Sequence, residues 1–313
     1  MKKRKIVFMG TPAAAVPSLE RIVSDGHEVL EVWTQPDRPK GRGRKLTPPP
    51  VKSCAERLGL RVFQPEKIKT KAVRARFKAL NADVAVVVAY GRILTKTYLE
   101  SFPMGSINVH FSLLPKYRGA APVNWAIAKG ETKTGVTTMQ MDRGLDTGDI
   151  LLVKELDILE NETSPELMER LAALGADAIS ETLRDYEEIE PVPQNNDEAT
   201  MAPLFEKTDG RINWQLSAKE IADRIRGFQP FPRSFSTIES RTVTFWAAVV
   251  DNATTDEAPG RILKADDDEL LISCGRGTVL KVLELQVPGK ARTKTREFLN
   301  GERLRQGLEF SNE

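Results

Sequence analysis

Cysteine is almost missing from this chain. Cys54 and Cys274 are the only two among 313 residues, they lie far apart, and neither belongs to a CxxC pair. That argues against a disulfide framework and against a zinc site, and it fits a reducing, cytoplasmic setting. No stretch of eighteen consecutive apolar residues occurs, so neither a membrane-spanning helix nor a membrane partner is expected. A large charge of one sign is lacking too: 46 basic against 44 acidic residues leave +2, which confines any nucleic-acid contact to local patches. Also missing is a GxGxxG phosphate loop. The first apolar run ends in Gly10-Thr11-Pro12-Ala13, and proline offers no N–H to a pyrophosphate, so NAD is not expected. What remains is an ordinary soluble composition, 40% apolar and 29% charged, in a chain long enough for two domains.

The start, MKKRKIVFMGTPAAAV, imitates a secretory leader. The early Gly10-Thr11-Pro12 break makes it read instead as the first strand of a sheet. Strands are expected at 5–9, 29–34, 62–63, 84–89, 105–110 and 135–141, with helices at 13–24, 50–58, 66–80 and 122–129. Residues 84–89 are apolar on both faces, as a central parallel strand requires. This alternation predicts an α/β domain: a Rossmann-like, open, mainly parallel sheet with helices on both sides. A long helix opens at Ser164-Pro165. Residues 191–208 begin rich in Pro, Asn, Gln and acidic side chains and read as a linker between a domain at 1–190 and another at 209–313. In the latter, Ser217 and Glu220 make a capping box for a helix ending at Gly227. Short β-rich runs at 234–238, 242–250, 260–264, 270–273 and 278–286 suggest a small, OB-like β-barrel.

The chemistry concentrates where strands end. In Asn108-Val109-His110 the two polar side chains alternate around an apolar one and so share a face, at the carboxyl end of a strand, where open sheets bind ligands. A neutral amide and an imidazole can both donate to an oxygen that becomes negative during acyl transfer. The only other histidine, His27, is expected in a surface turn. Asp146 and Asp149 belong to LDTGD, which serves as a turn in its own right. Asp146 is the better placed to orient or charge an imidazole and to help a proton leave an attacking amine. Ser112, Leu113, Leu114 and Pro115 are too apolar for a phosphate cradle and read as a pocket wall. After the second strand, Arg38, Lys40, Arg42, Arg44 and Lys45 are interleaved with glycines. Such a run is either a solvated loop or a flexible phosphate-contacting one. Lys290, Arg292, Lys294 and Arg296 alternate, and on a strand they would form one basic stripe.

Taken together the residues resemble the methionyl-tRNA formyltransferase family from end to end. The resemblance is carried by Gly10-Thr11-Pro12, QPDRPKGRGRKL at 35–46, VAYGRIL at 88–94, NVHFSLLPKYRGAAP at 108–122, LDTGDIL at 145–151 and KTDGRINW at 207–214. It implies the formyltransferase fold, with Asn108, His110 and Asp146 as the catalytic trio. Ser112, Leu113, Leu114 and Pro115 would bind tetrahydrofolate, and Val88, Ala89, Tyr90, Gly91, Ile93 and Leu94 would line the pteridine pocket. Arg42 and its basic neighbours match a loop that enters the acceptor stem of initiator tRNA. Phe111 and Trp125 stand where relatives vary. The implied reaction moves a formyl group from 10-formyltetrahydrofolate to the α-amino group of methionyl initiator tRNA, with no metal, in a cytoplasmic monomer. Two other readings share some of these residues: a formyltransferase acting on a small amine such as glycinamide ribonucleotide, and a nucleic-acid-binding regulator that senses folate without turnover.

Overall fold

A computed structural model describes residues 2–40, 43, 45–266, 268–301 and 304–311. The chain runs β1 (Lys5–Gly10), α1 (Val16–Ser24), β2 (Glu28–Trp33), β3 (Arg38–Lys40), β4 (Lys45–Thr47), α2 (Pro50–Arg57), β5 (Val62–Phe63), α3 (Lys71–Ala79) and β6 (Val84–Val88). There follow α4 (Lys96–Leu99), β7 (Ser106–His110), β8 (Arg118–Gly119), α5 (Pro122–Ala128), β9 (Lys133–Gln140), β10 (Ile150–Asp157), α6 (Ser164–Asp185) and β11 (Met201–Ala202). Contacts divide the chain into two compact units. The first holds Met1–Gly119, Thr134–Asp157 and Met168–Ala202, and the second holds Ala120–Lys133, Ile158–Leu167 and Pro203–Glu313. Residues 120–133 and 158–167 thus group with the C-terminal part, and 191–202 with the N-terminal part.

The first unit is built on a seven-stranded sheet in the order β10-β9-β7-β6-β1-β2-β5. The five strands β5, β2, β1, β6 and β7 pair in parallel, and β9 runs antiparallel to β7. Because the chain starts in the middle and builds outward both ways, a crevice forms at the carboxyl ends of β1 and β6. Val7, Met9, Ala85 and Val87 turn one sheet face onto Trp33, Phe77 and Tyr98. Trp33 packs edge-on to Phe63 and Phe77 at centroid distances of 4.8 and 5.1 Å. All five residues of β6 are buried, and each of its valines contributes roughly 1.5–3 kcal/mol.

Local chemistry moves some elements from where periodicity predicts them. The helix expected from 66 begins at Lys71, because the Thr70 hydroxyl accepts the Val73 N–H at 3.3 Å and caps it. His27 is not in a surface turn: it is 6% exposed, and its Nδ1 accepts the Arg4 backbone N–H at 3.1 Å where the chain enters β1. Burial pushes its pKa below the usual imidazole value. The basic segment is paired at both ends, since β3 and β4 form an antiparallel hairpin joining Arg38 to Thr47 and Lys40 to Lys45.

In the second unit come α7 (Ala218–Gly227), β12 (Ser234–Ile238), β13 (Arg241–Thr254), β14 (Ile262–Asp266), β15 (Glu269–Ser273), β16 (Thr278–Gln286), β17 (Thr293–Lys294) and α8 (Thr295–Gly301). The expected capping box is present, with Ser217 and Glu220 each serving the other's backbone. An antiparallel sheet in the order β12-β13-β16-β15-β14 closes over a core that includes Trp214, Ile221, Phe245, Ile272 and Val282. Residues 308–311 hydrogen-bond to both edges of that sheet: Ser311 N–H to Thr237 O at 2.7 Å, and Phe310 N–H to Gly260 O at 2.9 Å beside β14. The basic run at 290–296 is not one strand. Only Thr293 and Lys294 pair with β16, and α8 then begins at Thr295, whose hydroxyl is held by Val282 O. The alternating cations therefore do not form one stripe.

Candidate active site

Strand β7 carries Asn108 and His110 on one face, and its register against β9 sets His110 opposite Thr137. Both side chains are largely buried. The Asn108 amide makes no hydrogen bond among the described residues, so its N–H groups are available to a ligand. His110 Nε2 lies 3.0 Å from the Tyr117 carbonyl. A carbonyl only accepts, so Nε2 carries a hydrogen and the other ring nitrogen is the one free to gain or lose a proton. That nitrogen, Nδ1, faces Asp146 Oδ2 at 3.7 Å, too long for a hydrogen bond.

Asp146 comes from the turn between β9 and β10, 36 residues beyond His110 in sequence, and that turn meets the loop after β7 at Gly119. Its Oδ2 accepts the Gly119 N–H at 2.8 Å. Its backbone lies in the left-handed region, φ 55°, as does that of Tyr117, φ 60°. Such conformations cost on the order of 1–3 kcal/mol and persist only where surroundings impose them. Two glycines make the approach possible. A Cβ on Gly148 would stand 1.7 Å from Gln140 O, and one on Gly119, φ 126°, would stand 2.6 Å from Ala202 O. Asp149 is exposed, and its carbonyl accepts the Gln140 N–H at 2.8 Å, a turn-building role.

The Ser112–Pro115 wall is fixed from below. Thr137 Oγ1 donates to Ser112 O at 2.7 Å and accepts the Leu114 N–H at 3.2 Å, and Ser112 Oγ donates to Lys116 O at 2.7 Å. Leu114 is buried, while Leu113 and Pro115 are half-buried. Residues 88–94 cap the crevice between β1 and β6, where Thr11 Oγ1 and Gln35 Nε2 both donate to Tyr90 O at 3.1 Å. This segment divides in two. Val88, Tyr90 and Leu94 are buried, Tyr90 and Leu94 in the core cluster, whereas Ala89, Gly91 and Ile93 are exposed at the rim. Burial pushes the Tyr90 hydroxyl up to about 12. Tyr90 Oη and Arg92 Nε are buried without hydrogen-bond partners among the described residues.

Among the basic residues, Arg38 is exposed and stands 3.9 Å from Glu66, and Lys45 is exposed. The Lys40 side chain, Arg42 and Arg44 lie outside the described residues. The base of the hairpin is anchored at Asp37, which accepts from Gln64 at 2.7 Å and Lys52 at 2.8 Å. Those bonds hold its carboxyl below the usual range. In the second unit Lys294 and Arg296 are exposed on different elements, and Lys290 O accepts from Gln286. Arg292 is paired with Glu284 and lies over the Trp246 ring at 5.0 Å, which leaves it little charge to offer.

Two features carry no local signal in the sequence. A groove of about 580 Å³ in the second unit is lined by Lys207, Arg211, Arg233, Phe235 and Thr244, among others. In the first unit Gln194, part of the segment read as linker, hydrogen-bonds to Arg118 and to the Asp146 turn. Among the described residues no cluster of three or more His, Cys, Asp or Glu side chains is arranged to hold a metal, and no helix is long and apolar enough to cross a membrane.

A family model described as formyl transferase matches residues 3–183, and one described as formyl transferase, C-terminal domain, matches 205–303. A curated relative, methionyl-tRNA formyltransferase of Koribacter versatilis, is 50% identical over 301 residues, covering 95% of this chain and 96% of its own. Among solved structures, WlaRD, a sugar 3N-formyl transferase crystallised with dTDP and 5-N-formyl-THF, aligns with a TM-score of 0.68 and 19% identity over 93% of this chain and 100% of that one. HypX from Aquifex aeolicus in complex with tetrahydrofolic acid aligns with a TM-score of 0.63 and 16% identity over 95% of this chain, which spans 47% of that longer chain. At those identities the two structures speak for the shared formyltransferase fold. The extent of the sequence matches decides the rest: this chain belongs to the methionyl-tRNA formyltransferase family.

Proposed function

We infer that the protein transfers the formyl group of 10-formyltetrahydrofolate to the α-amino group of methionyl initiator tRNA, supplying the formylated initiator for translation. The donor is a co-substrate consumed in each turnover. The exposed rim of Ala89, Gly91 and Ile93 fits a pteridine at the crevice, with the Ser112–Pro115 wall beside it. An α-amino group titrates near pH 8, so a useful fraction is free base at neutral pH. As that amine adds to the formyl carbon, the formyl oxygen gains negative charge. The Asn108 amide and a protonated His110 Nδ1 donate to it. Asp146 balances the imidazolium and takes part in removing the amine's proton, directly or through water; collapse of the adduct then breaks the bond from the formyl carbon to N10, and N10 takes up a proton as tetrahydrofolate leaves.

The observation that carries this reading is the His110–Asp146 approach at 3.7 Å on the face that also bears the uncommitted Asn108 amide. For the large substrate, the reading assigns tRNA contact to the hairpin residues Arg38, Lys40, Arg42, Arg44 and Lys45. It assigns further contact to the C-terminal unit, 209–313, through Lys290, Lys294, Arg296 and the basic groove. Arg292 belongs to that set by sequence and is its weakest member, given Glu284. The protein works as a monomer in the cytoplasm. Incubation with 10-formyltetrahydrofolate and methionyl initiator tRNA should yield formylmethionyl-tRNA, with elongator methionyl-tRNA and glycinamide ribonucleotide as comparison acceptors. Formylation of the small amine in preference to the tRNA, or folate binding without transfer to any acceptor, rejects the reading.

A further inference from the structure

We propose that Gln194 is a positioning residue of the transfer site, the central contact of a strap at 192–202 that holds both loops on which His110 and Asp146 depend. The inference rests on the roles given above to His110 and Asp146. The strap is joined to the Asp146 side by a bridge between Ile150 and Val192, with N–H to O distances of 2.8 and 2.9 Å. Gln194 Nε2 then donates to Asp146 O at 2.9 Å and to Gly148 O at 2.7 Å, clamping the turn on either side of Thr147. The same amide turns its Oε1 to Arg118, whose Nε and Nη2 donate to it at 3.0 and 2.8 Å.

Farther along the strap, Thr200 Oγ1 accepts the Tyr117 N–H at 2.9 Å and Thr200 O accepts the Arg118 N–H at 2.8 Å. Met201 and Ala202 pair with Arg118 and Gly119. Tyr117 O in turn accepts from His110 Nε2, and Gly119 N–H donates to Asp146 Oδ2. One segment therefore fixes the carbonyl that sets the His110 tautomer, the N–H that orients the Asp146 carboxylate, and the backbone of Asp146 itself.

The orientation of the Gln194 amide is not interchangeable. Arg118 is 6% exposed, and among the described residues no carboxylate lies within ion-pair distance of it. Its guanidinium therefore requires the amide oxygen, and the two turn carbonyls require the amide N–H groups. A glutamate at 194 would satisfy Arg118 better and the turn not at all.

The test uses the full chain and reads kcat separately from KM for both substrates, with cooperative thermal unfolding as the control for folding. Gln194→Ala should lower kcat roughly ten- to a hundredfold, with both KM values within about twofold of the parent. Gln194→Glu should lose as much, although it keeps a partner for Arg118. In an Asp146→Ala background, Gln194→Ala should cost markedly less in single-turnover rate than it costs alone. Parent-like kcat in either single variant, a loss seen only in KM, multiplicative losses in the double variant, or loss of cooperative folding in both single variants would overturn the proposal. If Asp146→Ala alone keeps its rate, the reading of the trio fails. If that variant is slow while Gln194→Ala is not, only the strap fails.

Discussion

At the scale of single residues, the site separates groups already engaged from groups left for substrate. His110 spends Nε2 on Tyr117 and turns Nδ1 toward Asp146; the Asn108 side chain makes no hydrogen bond among the described residues. A donor aimed at developing negative charge in a water-poor site is worth about 2.7–4 kcal/mol, so Asn108→Ala or His110→Ala should lower kcat by about 10²–10³. Equilibrium binding of tetrahydrofolate should persist in both variants, which separates a lost donor from a collapsed pocket. That Asn108 and His110 share one face at the end of a strand was legible from alternation. Gln194 was not, because its partners are two carbonyls and a guanidinium that no pattern in residues 191–203 announces. His27 misled for the same reason: a turn after Asp25-Gly26 looks exposed until the Arg4 backbone runs beside it.

At the scale of elements, valine-rich β6, the strands at 234–238 and 278–286, and capped α7 lie where their own residues place them. Their signals are local: β-branched runs, alternation, and Ser217 with Glu220. The β3–β4 hairpin and the broken run at 290–296 escaped that reading because their form depends on which strand lies alongside. The hairpin is anchored at its base by Asp37 while its sides carry cations, a geometry suited to presenting charge to phosphates. Arg42→Ala should therefore raise KM for methionyl initiator tRNA and leave tetrahydrofolate affinity unchanged. If Arg42 neutralises a phosphate, the slope of log KM against log salt should also fall by about 1. Equal loss of tRNA use and folate affinity would make the loop a structural element of the pocket.

At the scale of the whole molecule, stability should carry the signature of His27. Its neutral ring accepts the Arg4 N–H and its Nε2 is buried without a partner. Desolvation therefore lowers its pKa against the smaller raising influence of Asp25. The unfolded chain binds a proton there as pH falls through about 6.5, while the folded chain does not until lower pH. Stability is full above that value and declines below it until the folded-state pKa is passed. Thermal unfolding between pH 7.5 and 5 should show a smaller decline in His27→Asn than in the parent; equal declines would remove His27 as the cause. The sequence by itself determined the alternation of strands and helices, the polar face of β7 and the family, because each is written in residue type and spacing within a few turns of chain. Only the tertiary structure decided which loops hold the Asp146 carboxylate beside His110, that residues 192–202 hydrogen-bond to those loops, and how the basic segments are shaped. Those outcomes depend on hydrogen bonds between residues far apart in sequence, and local spacing carries no record of them.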